Sequence, residues 1–230
     1  MKICVFSDMH GQLNFKVEPC DIVLIGGDII PLNIQKNDGL SEVWLKETFI
    51  PWCNSLQCEK VVFVAGNHDW LMYDHPDRIR LLVKDEPKIE YLDGEITEYK
   101  GKVIFGTPWC KPFFRWAFME SYKDQDKRYA RYLKTLDGTN IDIVLSHDAP
   151  YGVSDVLLQE DCPWADGKSH IGNESLKKFI ESAKPGWNFH GHLHSTNHEE
   201  ELLGDTKVYN VSLLDENYRM VYEPLYFEIE

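Results

Sequence analysis

No stretch of this 230-residue chain approaches the ~18 consecutive apolar residues that a membrane span requires. The N-terminus opens directly into the apolar run from Lys2 to Phe6, without the long apolar core and small-residue cleavage site of a secretory leader. A soluble, cytoplasmic protein with no membrane partner is the expectation. Low-complexity tracts and fixed-period repeats are missing too, so disorder is not indicated. Basic charge is scarce: 24 Lys plus Arg stand against 38 Asp plus Glu, a formal net charge of -14. A surface this acidic repels polyanions, which disfavours extended nucleic acid as a partner. The six cysteines, Cys4, Cys20, Cys53, Cys58, Cys110 and Cys162, lack a secretory context and lack a second pair at zinc-ligand spacing. They read as free thiols rather than as disulfides or a thiolate zinc site.

What is present is an ordinary globular balance, 43% hydrophobic and 27% charged, at a length that suits one domain over residues 1–230. Its most informative stretch runs from Val61 to Asp69. An apolar, β-branched run reads as a buried strand, and it stops at Gly66 before Asn67, His68 and Asp69, three side chains able to coordinate or transfer protons. In open α/β sheets, ligands gather beyond the carboxyl ends of strands. The pattern recurs. Residues 2–6 end in Ser7-Asp8-Met9-His10, residues 22–25 in Gly26-Gly27-Asp28, residues 141–145 in Ser146-His147-Asp148, and residues 187–189 in His190-Gly191-His192-Leu193-His194.

Between these runs the spacing of Leu45, Phe49, Trp52 and Leu56 predicts an amphipathic helix within residues 39–56, kinked or restarted at Pro51. The resulting β-α-β rhythm predicts a parallel, helix-covered sheet. Residues 95–99 and 102–105 read as a hairpin joined at Lys100-Gly101, where the rhythm turns antiparallel and a second sheet begins, packed face to face on the first. Residues 108–119 gather Trp109, Phe113, Phe114, Trp116 and Phe118 around Lys111 and Arg115, a loop that either folds over the core or walls a substrate. Helices are predicted over residues 122–136 and after an Asn173 cap, a polar loop over residues 161–170, and closing strands over residues 208–211 and 225–229.

Asp8 and His10 can point at one ion, Asp28 can bridge two, Asn67 offers a neutral oxygen, and His147, His192 and His194 offer imidazoles. Oxygen and nitrogen donors without sulfur suit Mn, Fe, Zn or Co better than Ca. Seven candidate ligands exceed the need of one ion and would serve two ions about 3.5–4 Å apart. Asp69 reads as structural, orienting a neighbour or capping the following turn, His190 as a non-ligand, and Asp148 and His170 as accessory groups at most. Lys111 and Arg115 are candidate phosphate or base contacts.

In order and spacing, Asp8-Met9-His10, Gly27-Asp28, Gly66-Asn67-His68-Asp69, Ser146-His147 and Gly191-His192-Leu193-His194 resemble the motif set of the calcineurin-like metallophosphoesterase superfamily. Gly106-Thr107-Pro108-Trp109 and His147-Asp148-Ala149-Pro150-Tyr151-Gly152 look like its compact branch with the MPPED-type phosphodiesterases. The resemblance implies an α/β fold, a four-layer α/β/β/α sandwich of two mixed sheets flanked by helices. It also implies two divalent ions, Mn first with Fe, Zn, Co or Ni as alternatives. One ion would be held by Asp8, His10, Asp28 and His194, the other by Asp28, Asn67, His147 and His192. His68 matches the residue that protonates the leaving oxygen or steadies the transition state. The expected activity is hydrolysis of a small phosphodiester, such as a cyclic nucleotide, by attack of a bridging hydroxide. The alternatives are a phosphomonoesterase or protein phosphatase, then a nuclease or a non-catalytic scaffold.

Overall fold

The computed structural model describes residues 1–159, 162–163 and 165–229. Of the loop predicted over residues 161–170, Asp161 and Trp164 lie outside the described residues. The first half of the chain forms β1 (Lys2–Phe6), β2 (Ile22–Ile25), α1 (Asp38–Trp44), a π-helical turn (Leu45–Phe49), α2 (Ile50–Ser55), β3 (Lys60–Phe63), α3 (Trp70–Asp74), α4 (Pro76–Val83) and β4 (Ile89–Tyr91). The second half forms β5 (Glu95–Tyr99), β6 (Lys102–Thr107), α5 (Tyr122–Thr135), β7 (Ile143–Ser146), α6 (Glu174–Ala183), β8 (Trp187–His190), β9 (Glu201–Leu203), β10 (Thr206–Asn210) and β11 (Leu225–Glu228).

Two mixed sheets result, with strand orders β11-β1-β2-β3-β4 and β5-β6-β7-β8-β10-β9. In the first, β1 to β4 run parallel and β11 returns antiparallel to β1. In the second, Lys100 (φ 49°) and Gly101 (φ 76°) supply the two left-handed residues that a two-residue hairpin needs. The antiparallel change predicted there is confined to that hairpin and to the β9 edge. The strands β6, β7, β8 and β10 are parallel, because α5 and α6 carry the β6–β7 and β7–β8 connections across one face.

Alternation along each strand sorts the side chains into layers. Ile3, Val5, Ile22, Leu24, Val62 and Val64 face Ile104, Ile143, Leu145 and Phe189 between the sheets. Their neighbours Phe6, Val23, Ile25, Val61 and Phe63 face the helices of the first half, packing on Leu45, Phe49, Leu71 and Ile79. Phe105, Val144 and Val208 meet Tyr129, Leu176, Phe179 and Ile180 from α5 and α6. This is the α/β/β/α sandwich. Each such buried side chain contributes roughly 1.5–3 kcal/mol.

Pro51 is accommodated by the π turn. The Ile50 N–H reaches back to Leu45 O, and α2 starts over with Pro51 in its first turn, where the missing donor has no partner to lose. No helix of the described residues is long and apolar enough to cross a membrane.

Candidate metal centre

Parallel order brings the carboxyl ends of β1, β2 and β3 to one edge of the first sheet and those of β7 and β8 to one edge of the second. The sheets are joined there. The Ser7 N–H donates to Val211 O, the Leu213 N–H donates to Ser7 O, and His147 Nδ1 lies 2.8 Å from Gly26 O. The chain leaves the strands through left-handed backbone, with φ 54° at Asp8, 42° at His10, 51° at Asp28 and 68° at His192. Each such residue costs of order 1–3 kcal/mol, so strain is concentrated among the predicted ligands. Gly66 and Gly191 allow the loops to close, since a Cβ on either would overlap the carboxylate of Asp28 or Asp8.

The seven predicted ligands stand together. His194 Nε2 is 3.3 Å from Asp8 Oδ1. Asp28 is shared, with Oδ2 3.6 Å from His10 Nε2 and Oδ1 3.5 Å from His147 Nε2. His147 Nε2 is also 3.0 Å from Asn67 Oδ1. The His192 ring lies 5.2 Å from that of His147, and its backbone N–H donates to both Asp8 oxygens at 3.1 Å. Among the described residues, potential donor atoms lie within 4.8 Å of one another in four such groups: Asp8, His10 and His194; Asp8, Asp28 and His147; His10, Asp28 and His68; and Cys110, His147 and His192.

Charge explains why the cluster is tolerable. Burial opposes ionisation of Asp8 and Asp28, yet His194 beside the first and His147 and His68 beside the second hold both below the usual carboxylate range. Burial alone would lower the facing imidazoles. Instead Asp28 lifts His147 to about 10 and Asp8 lifts His194 to about 9. Burial leaves His10 lowered to about 4 and His192 to about 3. Protons on His147 and His194 thus offset the two carboxylates, the role a divalent cation would take over.

The donor set fits such cations. Both His10 ring nitrogens are buried without a hydrogen-bond partner among the described residues, and a cation beside Asp8 and His194 would give one of them a partner, removing about 1–3 kcal/mol of that deficit. His147 and His194 are braced from behind, Nδ1 of the latter lying 3.0 Å from Asp215 O. Each Nε2 therefore faces the cluster, the outer bracing that metal-binding histidines use.

His68 borders the cluster. Its N–H donates to Asp28 Oδ1 at 2.8 Å, its Nδ1 lies 2.6 Å from Gln35 Oε1, and its Nε2 lies 3.9 Å from Asp28 Oδ2. The ring stacks on Trp116 at 4.4 Å, and burial lowers its pKa. The Tyr218 ring lies 5.0 Å from that of His10 and 5.8 Å from that of His194. Gln35 and Tyr218 carried no sequence signal, since neither ends an apolar strand. The aromatic loop divides: Ala117 and Phe118 enter the first core, Trp116 covers His68, and Phe113 and Phe114 are exposed.

Asp69 accepts hydrogen bonds from the Ile29, Ile30 and Gly66 N–H groups and so ties the Asp28 loop to the Asn67 loop. The buried His190 turns its Nδ1 toward Gly191 O and joins none of the metal-ligand groups. Asp148 accepts from the Lys111 and Ala149 N–H groups, and His170 pairs with Asp155. Lys111 shares a cavity of about 510 Å³ with His192. Arg115 is not brought to that cavity. It lines a separate hollow with Lys36, Asp38, Trp70 and Asp74. Cys4, Cys20, Cys53, Cys58 and Cys110 are free thiols.

A family model described as calcineurin-like phosphoesterase matches residues 1–196. The chain is 24% identical to a UPF0046 protein of Caenorhabditis elegans over 258 residues, covering 99% of this chain but only 59% of that protein. It is 25% identical to Metallophosphoesterase domain-containing protein 1 of Homo sapiens over 253 residues, covering 99% of this chain and 70% of that protein. Among solved structures, TT1561 of Thermus thermophilus matches in fold with a TM-score of 0.62 at 14% identity, covering 91% of this chain and 88% of that one.

Proposed function

This chain belongs to the calcineurin-like phosphoesterase family, and we propose that it hydrolyses a small phosphodiester, such as a cyclic nucleotide, with two divalent cations. The observation that carries the reading is the convergence of Asp8, His10, Asp28, Asn67, His147, His192 and His194 from five strand ends, with both His10 nitrogens buried and without a hydrogen-bond partner among the described residues. Asp8, His10, Asp28 and His194 are assigned to one cation, and Asp28, Asn67, His147 and His192 to the other. Mn is the first choice, with Fe, Zn, Co or Ni as alternatives for mixed oxygen and nitrogen donors.

Cations at these positions would lower the pKa of water and neutralise phosphoryl oxygens. The chain itself supplies position and a proton. Gln35 and Trp116 fix the His68 ring with Nε2 beside Asp28, and an imidazolium there donates to the leaving oxygen as the ester bond breaks. Because burial lowers the His68 pKa, that donation favours the acid side of neutrality. The cavity beside His192 supports a diester. Phe113, Leu157, Ile171 and Leu193 give it apolar walls for a base or alkyl group, and with Lys111 set against Asp166 and Glu216 on the same lining, the single negative charge of a diester is better tolerated than the two of a monoester.

A hydrolysis panel of aryl phosphodiesters, monoesters and cyclic nucleotides with added Mn tests the reading. Diesters should be cleaved fastest, and His68→Ala should lose roughly 10²–10⁴-fold in turnover while still taking up both ions. Faster monoester cleavage would overturn the diester preference. Equal rates in Asn67→Ala would mean that the activity belongs to a contaminant.

A further inference from the structure

Cys110 is absent from the seven-ligand set, yet its sulfur lies in the cluster. Its Sγ and one ring nitrogen each of His147 and His192 are within 4.8 Å of one another. Ligands bonded at about 2.0–2.3 Å to one ion stand about 3.5 Å apart in a tetrahedron and about 4.4 Å apart when opposed, so a small inward shift suffices. The thiol is fully buried, but not as core filling: Cys4 and Cys53 belong to the first apolar core, whereas Cys110 belongs to none of the apolar cores. Its backbone is held from both sides, with the N–H donating to Phe118 O at 2.9 Å and the carbonyl accepting from Gln125 Nε2. The thiol donates to Pro108 O at 3.4 Å, a weak bond given up when the S–H proton leaves, while the backbone bonds keep Cys110 beside the two imidazoles independently of any cation.

We infer that Cys110 is a further ligand of the cation position that His147 and His192 serve, and that it biases this position toward a thiophilic ion. The inference rests on the metal centre proposed above. Coordination breaks the S–H bond, forms a sulfur–metal bond and releases the proton to solvent. Manganese gains little from a soft ligand, whereas zinc, cobalt and cadmium gain much. Within one centre the two positions then differ in preference, one built of oxygen and nitrogen alone and the other carrying sulfur.

Titration of metal-free protein with Cd(II) or Co(II), following equivalents bound and thiolate-to-metal charge-transfer absorption, tests this without an activity assay. The wild type should bind two equivalents and show the band. Cys110→Ser should lose the band and hold its second Cd(II) about 10–100-fold more weakly, while Cys20→Ser/Cys58→Ser keeps both. Zinc-edge X-ray absorption on the wild type needs no variant and should find sulfur in the shell. Two equivalents bound without a thiolate band, or a band surviving in Cys110→Ser, would overturn the Cys110 assignment and leave the metal centre standing. Fewer than two equivalents in every form would remove the centre and Cys110's role with it.

Discussion

Single residues set the geometry of this site through what they leave out as much as through what they supply. Gly191 has no Cβ where one would overlap the Asp8 carboxylate and Ser7 Oγ. Gly191→Ala should destabilise the fold by about 1–3 kcal/mol and abolish uptake of the cation assigned to Asp8, whereas Gly186→Ala, whose nearest heavy atom would lie 3.6 Å away, should be silent. Calorimetric metal titration of both variants checks this. Protonation gives a second outcome. His147 and His194, raised to about 10 and 9, stabilise the metal-free fold fully below the unfolded histidine value of about 6.5, and that contribution is lost as pH rises through 9 to 10. Each cation must displace the proton on its own histidine, so its apparent affinity should rise with pH by up to about tenfold per unit while that proton remains bound, and loading of both by up to about 100-fold. Proton release measured in buffers of different ionisation enthalpy should approach two per centre from the histidines at neutral pH, with a third from Cys110 that is lost in Cys110→Ser, and none would contradict the assignment. Asp8, Asn67 and His192 were legible because each ends an apolar strand. Cys110, Gln35 and Tyr218 were not, since tertiary packing alone brings them to the centre.

At the scale of elements, α6 links the second sheet's helical layer to the site. Its cap, Asn173, accepts from the Ser175 and Leu176 N–H groups, and its amide donates to Gln125 Oε1 and Asp148 Oδ2. Asp148 in turn holds the Lys111 backbone. Asn173→Ala should therefore cost about 1–2 kcal/mol from the lost cap and also raise KM by loosening the Lys111 wall. Asn173→Asp, which keeps the cap oxygen but sets a carboxylate against buried Asp148, should be the worse of the two in urea unfolding. The Asn173 cap and the apolar face of α6 were readable from spacing. The strands β4 and β9 were not, because three residues cannot display a period. The parallel run β6 to β10 was obscured because the hairpin signal before it is local, whereas strand pairing across α5 and α6 is not. Pro51 marked an interruption correctly, but a proline does not say whether the helix kinks or widens into a π turn.

Across the whole molecule, the candidate centre straddles the two sheets. Asp8, His10, Asp28 and Asn67 come from the first, and His147, His192 and His194 from the second. Cations held by both groups would act as a clasp at one end of the apolar layer between the sheets, and the net charge of -14 strengthens their attraction while straining the fold through self-repulsion. Each ion at 100 times its dissociation constant stabilises by about 2.7 kcal/mol, so two contribute about 5.4 kcal/mol, which for a chain of this size is a shift of about 10–20 °C in Tm. Chelation should lower Tm by that amount, and hydrogen exchange should quicken together at the carboxyl ends of β1, β2, β7 and β8. Added monovalent salt should narrow the gap from both sides, relieving repulsion in the chelated protein while screening the cations from the loaded one. A Tm indifferent to chelation, or exchange that quickens in one sheet alone, would mean that the two halves of the sandwich do not share the ions.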